Sequence, residues 1–178
     1  MNFIFRKMEK KDLPAVKTLD KLAFLNPWPE NAFNYEIEKN ENARLWVAEI
    51  EHEKSREIVA ITVVWIILDE AHIGTFAVHP DWQQKGIGRQ FMANICKELY
   101  EAQIIKIFLE VRESNTNAIN LYRHFGFKVD GERRNYYRDN SETAILMSAM
   151  IRDCDDYSDL IKESDFEKYI HRKEIGFE

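Results

Sequence analysis

The sequence predicts one domain of the α/β or α+β class, built around a central sheet. Helical and strand patterns alternate along the chain, without repeats or low-complexity segments. Two consecutive units each join a buried strand to an amphipathic helix. With 178 residues, 45% of them hydrophobic, the chain is long enough to bury a core. Residues 1–151 carry this pattern and form the predicted domain.

The first half of the chain predicts two helices and four strands. Residues 2–6 predict a short strand, and "DLPAVKTLDKLAF" predicts a helix with Asp12 as its N-cap and a proline in its first turn. "PENAFNYEIEK" predicts a second, shorter helix. "ARLWVAEI", "REIVAITVVWIIL" and "AHIGTFAV" are rich in β-branched and aromatic residues, which predicts three consecutive strands.

The second half contains both strand–helix units. "GIGRQFMANICKELYEA" predicts a helix and "IIKIFLEV" a buried strand. "SNTNAINLYRHFGF" predicts another helix, which ends at Gly126 in the C-cap position, and strands follow around residues 127–137 and 143–151. Residues 152–178 account for most of the chain's net negative charge and predict an acidic C-terminal extension, either a helix or an arm.

Charge and cysteine content exclude several classes of function. A net charge of -6 and a pI near 5.5 provide no chain-wide basic field for nucleic acid or an anionic membrane. Cys96 and Cys154 lie far apart without a histidine cluster, which argues against a disulfide framework or a zinc site. The N-terminus lacks the apolar core of a signal peptide, and the apolar run 58–68 is too short to span a membrane. We therefore expect a cytoplasmic protein without a metal.

The first chemical signal is the turn "HPDWQQKGIGRQ", which follows a predicted strand. Gly86 and Gly88 let an anionic group approach the backbone, and the helix that begins there offers unpaired N–H groups and the positive end of its dipole. The turn could therefore hold a pyrophosphate. It could equally be a simple connection, because an isolated G-x-G has little specificity and the third glycine of a dinucleotide-binding fingerprint is absent.

The glycine turn belongs to a longer series of motifs. Gln83-x-x-Gly86-x-Gly88 follows "FAVHPDW", and "LEVRESNTNAINLYRHFGF" comes next, with a helix of pattern S-N-x-x-A-x-x-L-Y and a following G-F. In order and spacing, from about residue 3 to residue 150, this series resembles the GNAT superfamily of N-acetyltransferases. The resemblance implies a GNAT fold, with a mixed central sheet, flanking helices and a splayed cleft for acetyl-CoA, the acetyl donor.

The resemblance also implies a set of cofactor contacts. The pyrophosphate would lie on the backbone of the glycine turn, and the pantetheine arm would pair with the preceding strand like an additional strand. Asn115, at the start of the last helix, would contact the cofactor as well. The residues of the turn and of the strand are Gln84, Lys85, Gly86, Ile87, Gly88 and Arg89, and Phe76, Ala77 and Val78.

Acetyl transfer to an amine requires a proton acceptor and a proton donor. An α-amine has a pKa near 8 and a lysine one near 10.4, so the amine must lose a proton before it attacks, and the departing thiolate must gain one. In the family match, Glu110 is the acceptor, directly or through water, and Tyr122 is the donor, while an amide near Val78 stabilises the oxyanion. Without the match, Glu110 could be a solvated strand-end carboxylate and Tyr122 an amphipathic core residue.

Three features narrow the resemblance to the RimI-like enzymes, the ribosomal-protein alanine N-acetyltransferases. They are the Glu-Val-Arg start of "LEVRESNTNAINLYRHFGF", the Pro-Trp segment in "FLNPWPENAF", and the R-x-N-Y-Y segment of "RRNYYRDNSETAILMSA". This resemblance implies that the acceptor is the N-terminal α-amine of a protein, such as a ribosomal protein. Trp28, Asn135, Tyr136 and Tyr137 would border the peptide groove.

Other functions stay open at this stage. A GNAT enzyme could acetylate a small-molecule amine or a protein lysine, since acceptor choice lies in loops and the fold does not fix it. A CoA-binding regulator without activity is a third alternative, against which the presence of both Glu110 and Tyr122 argues. The oligomeric state, monomer or homodimer, is likewise undecided.

The segment "GERRNYYRDN" carries its own expectations. An ordinary strand would place Tyr136 and Tyr137 on opposite faces, so that one ring could meet a substrate. Arg133, Arg134 or Arg138 could favour an acceptor with an acidic residue near its end, or could be surface cations that only aid solubility.

Overall fold

The computed structural model describes residues 2–53 and 55–151, and the strands of this part form one sheet. The strands are β1 (Asn2–Lys7), β2 (Ala43–His52), β3 (Ser55–Ile67), β4 (Glu70–Val78), β5 (Lys106–Arg112), β6 (Lys128–Tyr137) and β7 (Glu142–Met150). Their order in the sheet is β1-β2-β3-β4-β5-β7-β6. Every predicted strand is therefore present within a few residues of its expected bounds.

Four α-helices cover the two faces of this sheet. They are α1 (Leu13–Ala23), α2 (Ala32–Glu38), α3 (Ile87–Glu101) and α4 (Thr116–His124). Apolar side chains of α1 and α2 pack with one face of β2 and β3, around Val16, Phe33 and Ile61. Those of α3 and α4 pack in a second cluster on the other face, around Phe91 and Ile119. The extension predicted at 152–178 lies outside the described residues.

The N-cap predicted for α1 is confirmed in position. Asp12 occupies it, but its side chain makes no cap hydrogen bond to the helix. The carboxylate instead accepts from Arg6, with Nη1 to Oδ2 at 2.6 Å, and Arg6 also pairs with buried Glu49. These three side chains line a groove of about 820 Å³ beneath α1, and no predicted site residue lines it. The network ties β1 and β2 to the start of α1.

The only parallel pair of neighbouring strands in the described sheet, β4 and β5, is short. The two strands pair over Glu70–Ile73 and Lys106–Leu109 and then part. Beyond that point β4 stays paired with β3 as far as Val78, and β5 stays paired with β7 as far as Arg112. The sheet therefore splits into two arms, which confirms the expected mixed sheet with a splayed cleft. Within residues 2–53 and 55–151, no helix is long and apolar enough to cross a membrane.

Candidate active site

The free edge of β4 forms one wall of the cleft. His79 donates its backbone N–H to the carbonyl of Val59 on β3, at 2.8 Å. Because N–H groups along an antiparallel strand point alternately towards and away from the partner, the N–H groups of Phe76 and Val78 point away from β3, into the opening. Their direction suits the predicted contact with an extended pantetheine arm.

The glycine turn lies beyond the C-terminal end of β4, between that strand and α3. Gly86 has a φ of 81°, a left-handed conformation that favours glycine. It occupies the N-cap of α3, and because glycine has no side chain, the first N–H groups of the helix are not capped by it. A Cβ on Gly88 would come within 3.5 Å of both Val78 on β4 and Leu121 on α4. The missing side chain thus keeps open the space between the first turn of α3, β4 and α4. The backbone and the open space fit a pyrophosphate at this place.

The side chains of several predicted cofactor residues already make contacts within the protein. The side chains of Ala77 and Ile87 are buried in the two cores. The ammonium of Lys85 lies 5.3 Å from the centre of the Trp82 ring. Asn115 accepts from the N–H of Ala118 at 3.1 Å and thereby caps α4. The side-chain amide nitrogen of Asn115 is the group that suits the predicted contact with the cofactor.

Tyr122 is buried beside β4 rather than exposed on the surface. Its residue is only 6% exposed, and its ring contacts Phe76 at 6.2 Å and Phe127 at 5.7 Å between centroids. Burial, with a smaller contribution from neighbouring Tyr137, raises the pKa of its hydroxyl far above the ordinary value. The hydroxyl therefore keeps its proton at any physiological pH, as a proton donor must.

Glu110 is the first residue of β5 after its pairing with β4 ends. The preceding and following residues, Leu109 and Val111, point into the core shared with α3 and α4, so Glu110 points to the opposite face. Its carboxylate is 31% exposed and accepts a hydrogen bond from the guanidinium of Arg133. The carboxylate thus lies at the mouth of the cleft, already paired with a cation.

The paired tyrosines of β6 lie beside Glu110. Asn135 has φ 54°, the register with β7 shifts between Arg133 and Tyr137, and the two tyrosine rings meet edge to face at 5.3 Å. The prediction that the rings point to opposite faces is therefore wrong, because the bulge breaks the alternation. A hydrogen bond to Glu110 raises the pKa of Tyr136, and burial raises that of Tyr137 to about 12.

Arg112 fixes this tip of the sheet. Its guanidinium makes two hydrogen bonds to Asp139, at 3.0 and 2.9 Å, and one to Glu142, at 3.0 Å. It also stacks 3.9 Å from the centre of the Tyr137 ring. Glu142 in turn accepts from the N–H of Ser114, before α4, at 2.8 Å. Arg112 thereby joins β5, the β6–β7 turn and the approach to α4 into one unit.

Trp28 reaches the cleft through a second tryptophan. Its ring stacks on Phe33 at 5.0 Å and on Trp65 at 6.1 Å. Trp65 covers Gly74, where a Cβ would lie 2.6 Å from the indole, and Gly74 is the first residue of β4 beyond its pairing with β5. Through Trp65, Trp28 is connected to the point where the cleft opens.

Sequence reasoning missed Gly74 and Arg112, and it offered Arg133 only as a contact for an acidic acceptor residue or as a surface cation. A glycine inside "AHIGTFAV" is a signal for a close approach or a bulge, and it could have identified Gly74. The pairing of Arg112 and of Arg133 carries no local signal, because their partners are far away in sequence. Arg134 pairs with Glu132 at 2.8 Å and is 82% exposed, as a surface cation would be. In the ranges 2–53 and 55–151, no group of three metal-ligating side chains comes together.

Known proteins are similar to this chain in sequence and in fold. Residues 13–127 match the acetyltransferase (GNAT) family. The chain is 34% identical, over 81% of its length and 95% of the other protein, to the ribosomal protein bS18-alanine N-acetyltransferase of Escherichia coli (strain K12). The crystal structure of the ribosomal-protein-S18-alanine N-acetyltransferase from Escherichia coli has a TM-score of 0.76 at 32% identity, covering 84% of this chain and 94% of that one.

A protein named for a different acceptor shares the fold. The spermidine/spermine N-acetyltransferase of Vibrio cholerae has a TM-score of 0.68 at 20% identity, covering 84% of this chain and 92% of that one. Such a likeness concerns the fold alone. The choice of acceptor must therefore be argued from the side chains around the cleft.

Proposed function

The chain belongs to the acetyltransferase (GNAT) family, and from this premise we propose that its acceptor is the N-terminal α-amine of a protein. Membership makes it an acetyl-CoA-dependent N-acetyltransferase. The observation that carries the proposal is the position of Glu110, where β4 and β5 part, beside the paired tyrosines of β6. We further propose that residues 1–151 are the catalytic unit and 152–178 an extension of it.

The residues on the donor side of the cleft, on β4 and α3, bind acetyl-CoA and orient it. Bound acetyl-CoA supplies an activated acetyl thioester. The N–H groups at the start of α3, from Gly86 to Arg89, bind its pyrophosphate with the help of the helix dipole. The edge N–H groups of Phe76 and Val78 align the extended arm, and the amide of Val78 stabilises negative charge on the carbonyl oxygen during attack.

Two side chains move the protons. Glu110 takes the proton that the amine nitrogen loses as the amide bond forms, directly or through one water. Tyr122 gives a proton to the departing thiolate. This hydroxyl is protonated at neutral pH, since even the ordinary pKa of a tyrosine is near 10. Direct transfer from donor to acceptor then needs no covalent bond to the enzyme.

The acceptor side favours an extended peptide. Tyr136 and Tyr137 present two adjacent rings and hydroxyls on one side of β6, and the stacked Trp28 and Trp65 border the opposite arm of the cleft. Hydroxyl groups of this kind, and the side-chain amide of Asn135, can bind a peptide backbone. The N-terminal alanine of ribosomal protein bS18 is the first acceptor to test, because the similar enzymes are named for it.

Mass spectrometry of a peptide library tests the proposal. Peptides with free N-termini, including the N-terminal segment of bS18, are incubated with the full-length protein and acetyl-CoA. We expect acetylation at the α-amine, and its loss when the same peptides carry a blocked N-terminus. Acetylation at lysines alone, or of spermidine without any peptide, would contradict the proposal.

A variant separates the enzyme from a CoA-binding regulator. Glu110→Gln removes the proton acceptor and keeps the shape of the side chain, so acetylation should fall while acetyl-CoA still binds. Glu57→Gln, an exposed position on β3, is the matched control. A wild-type protein that binds acetyl-CoA but acetylates none of the peptides or amines would favour the regulator.

A further inference from the structure

Arg133 neutralises the carboxylate that the proposed mechanism uses as a base. Its Nη1 donates to Oε1 of Glu110, and its guanidinium lies 5.5 Å from the centre of the Tyr136 ring. The same carboxylate lies close enough to the hydroxyl of Tyr136 to raise its pKa. Glu110 is therefore paired with one cation of β6, beside the Tyr136 hydroxyl, before any acceptor arrives.

The other charged groups near Glu110 are engaged elsewhere. Arg112, two residues along β5, is only 22% exposed and binds Asp139 and Glu142. Tyr137 lies against Arg112, and the residue across from Glu110 on β7 is Leu146. In the described ranges, Arg133 is thus the cation that pairs with Glu110. It is 53% exposed, so it faces the solvent from which the acceptor comes.

The net charge around Glu110 and Arg133 decides whether the protonated or the neutral form of an amine can enter the site. An unpaired carboxylate would bind an ammonium ion, which could attack after passing its proton to that carboxylate inside the site. A carboxylate paired with a guanidinium offers no net charge to an ammonium ion, and the guanidinium repels it. A neutral amine meets no such repulsion, and it still finds a carboxylate that can take its proton.

Entry as a neutral amine discriminates between two kinds of acceptor. An α-amine with a pKa near 8 is about one tenth neutral at pH 7, whereas a lysine with a pKa near 10.4 is less than about one thousandth neutral. A site that rejects ammonium ions therefore favours α-amines by about two orders of magnitude. Removal of the guanidinium would give lysine a way in as an ammonium ion.

We infer that Arg133 is a specificity-determining residue, which neutralises Glu110 so that the acceptor enters as a neutral amine and α-amines are favoured over lysine side chains. The inference rests on the proposed function and adds a role that Glu110 and Tyr122 do not supply. In the reaction, the lone pair of the neutral nitrogen forms the C–N bond and the C–S bond of the thioester breaks. The proton from nitrogen passes to Glu110, and the thiolate takes a proton from Tyr122.

The test compares two peptides with three variants of the full-length protein. One peptide has a free N-terminus and no lysine, and the other has an acetylated N-terminus and one lysine. We expect Arg133→Gln to raise kcat/KM for the lysine peptide relative to the α-amine peptide by about fivefold, the size of one part-exposed ion pair. Arg133→Lys keeps the cation and should keep the wild-type ratio. Arg134→Gln, at the neighbouring exposed position, is the matched control and should also keep it.

A dependence on pH provides a second readout. In the wild type, KM for the α-amine peptide should fall as the pH rises towards the amine pKa of about 8, because only the neutral form binds. In Arg133→Gln this fall should flatten, since the ammonium form can now pair with Glu110. Partial unfolding of a variant would lower kcat/KM for both peptides by the same factor. A change in the ratio of the two kcat/KM values therefore cannot come from unfolding.

The outcomes separate the inference from the proposed function. An unchanged peptide ratio and an unchanged pH dependence of KM in Arg133→Gln would overturn the inference and leave α-amine acetylation standing. The same change of ratio in Arg134→Gln would also overturn it, because the effect would then be one of general surface charge. A wild-type protein that acetylates the lysine peptide alone would overturn the proposed function, and the inference with it.

Discussion

The two sides of the cleft are built from different chemical groups. The donor side consists of backbone N–H groups on β4 and α3, together with two glycines, and the nearby side chains are apolar. The acceptor side consists of charged and aromatic side chains on β5 and β6, held by ion pairs. A donor that is the same in every turnover can be recognised by fixed backbone, whereas acceptors differ in side chains and require side chains to recognise them.

Tyr122 reaches from the donor side towards the acceptor side, and its removal should have the largest effect. Tyr122→Phe deletes the proton donor and keeps the buried ring, so kcat should fall by about 100-fold or more. Acetyl-CoA affinity, measured by calorimetry, should change much less. Tyr100→Phe, an exposed tyrosine on α3, is the control. An equal loss of affinity and kcat would assign Tyr122 to cofactor packing.

Gly88→Ala should act on the donor side alone. The new methyl group makes ordinary contacts at 3.5 Å with Val78 and Leu121, and alanine favours a helix, so the free energy of unfolding should rise by about 0.5–1 kcal/mol. The same methyl narrows the space for the cofactor, so acetyl-CoA should bind about tenfold more weakly, as overpacking by a methyl typically costs.

A higher free energy of unfolding together with weaker acetyl-CoA binding is the diagnostic result for Gly88→Ala. Gly131→Ala on β6 is the control, because its Cβ would meet only Leu146, at 3.9 Å. Unchanged acetyl-CoA affinity in Gly88→Ala would show that the cofactor does not use this space.

Arg112→Gln should act on the acceptor side alone. The substitution breaks hydrogen bonds to two carboxylates, so the free energy of unfolding should fall by about 1–3 kcal/mol. KM for the acceptor peptide should rise several-fold, because Tyr137 loses the cation on which it stacks, while acetyl-CoA affinity stays the same. Arg56→Gln, which breaks a surface pair with Glu51, is the control. A matching loss of acetyl-CoA affinity would show that the two sides are not separable.

The smallest expected effect is a pH dependence of the free energy of unfolding, which arises from Glu142. Hydrogen bonds from Ser114, with further ones from Asn140 and Arg112, lower the pKa of Glu142 to about 2 in the folded chain. Its contribution to stability is therefore complete above the unfolded pKa of about 4.3 and is lost as the pH falls towards 2. The melting temperatures of wild type and Glu142→Gln should differ at pH 6, differ less at pH 3, and converge only below about pH 2. A constant difference would contradict the lowered pKa.

The donor side could be read from sequence because its parts are consecutive. The strand before Val78, the turn at Gly86 and Gly88, and α3 follow one another directly, so local propensity and glycine positions describe them. The alternation expected at Tyr136 and Tyr137 failed, and the side chain of Asp12 pairs with Arg6 rather than capping α1, for one physical reason. Both depend on partners and strand register that arise only after the sheet has formed.

By itself, the sequence determined the order of helices and strands, the glycine turn, and the positions of Glu110 and Tyr122 at the end of a strand and within a helix. Only the tertiary structure decided that Glu110 meets Arg133, that Tyr136 and Tyr137 face the same side, and that Trp65 covers Gly74. Periodicity reports which face of an element is buried. It cannot report which residues of two distant strands lie opposite each other, because that register is set by the bulges and by the packing of both faces of the sheet.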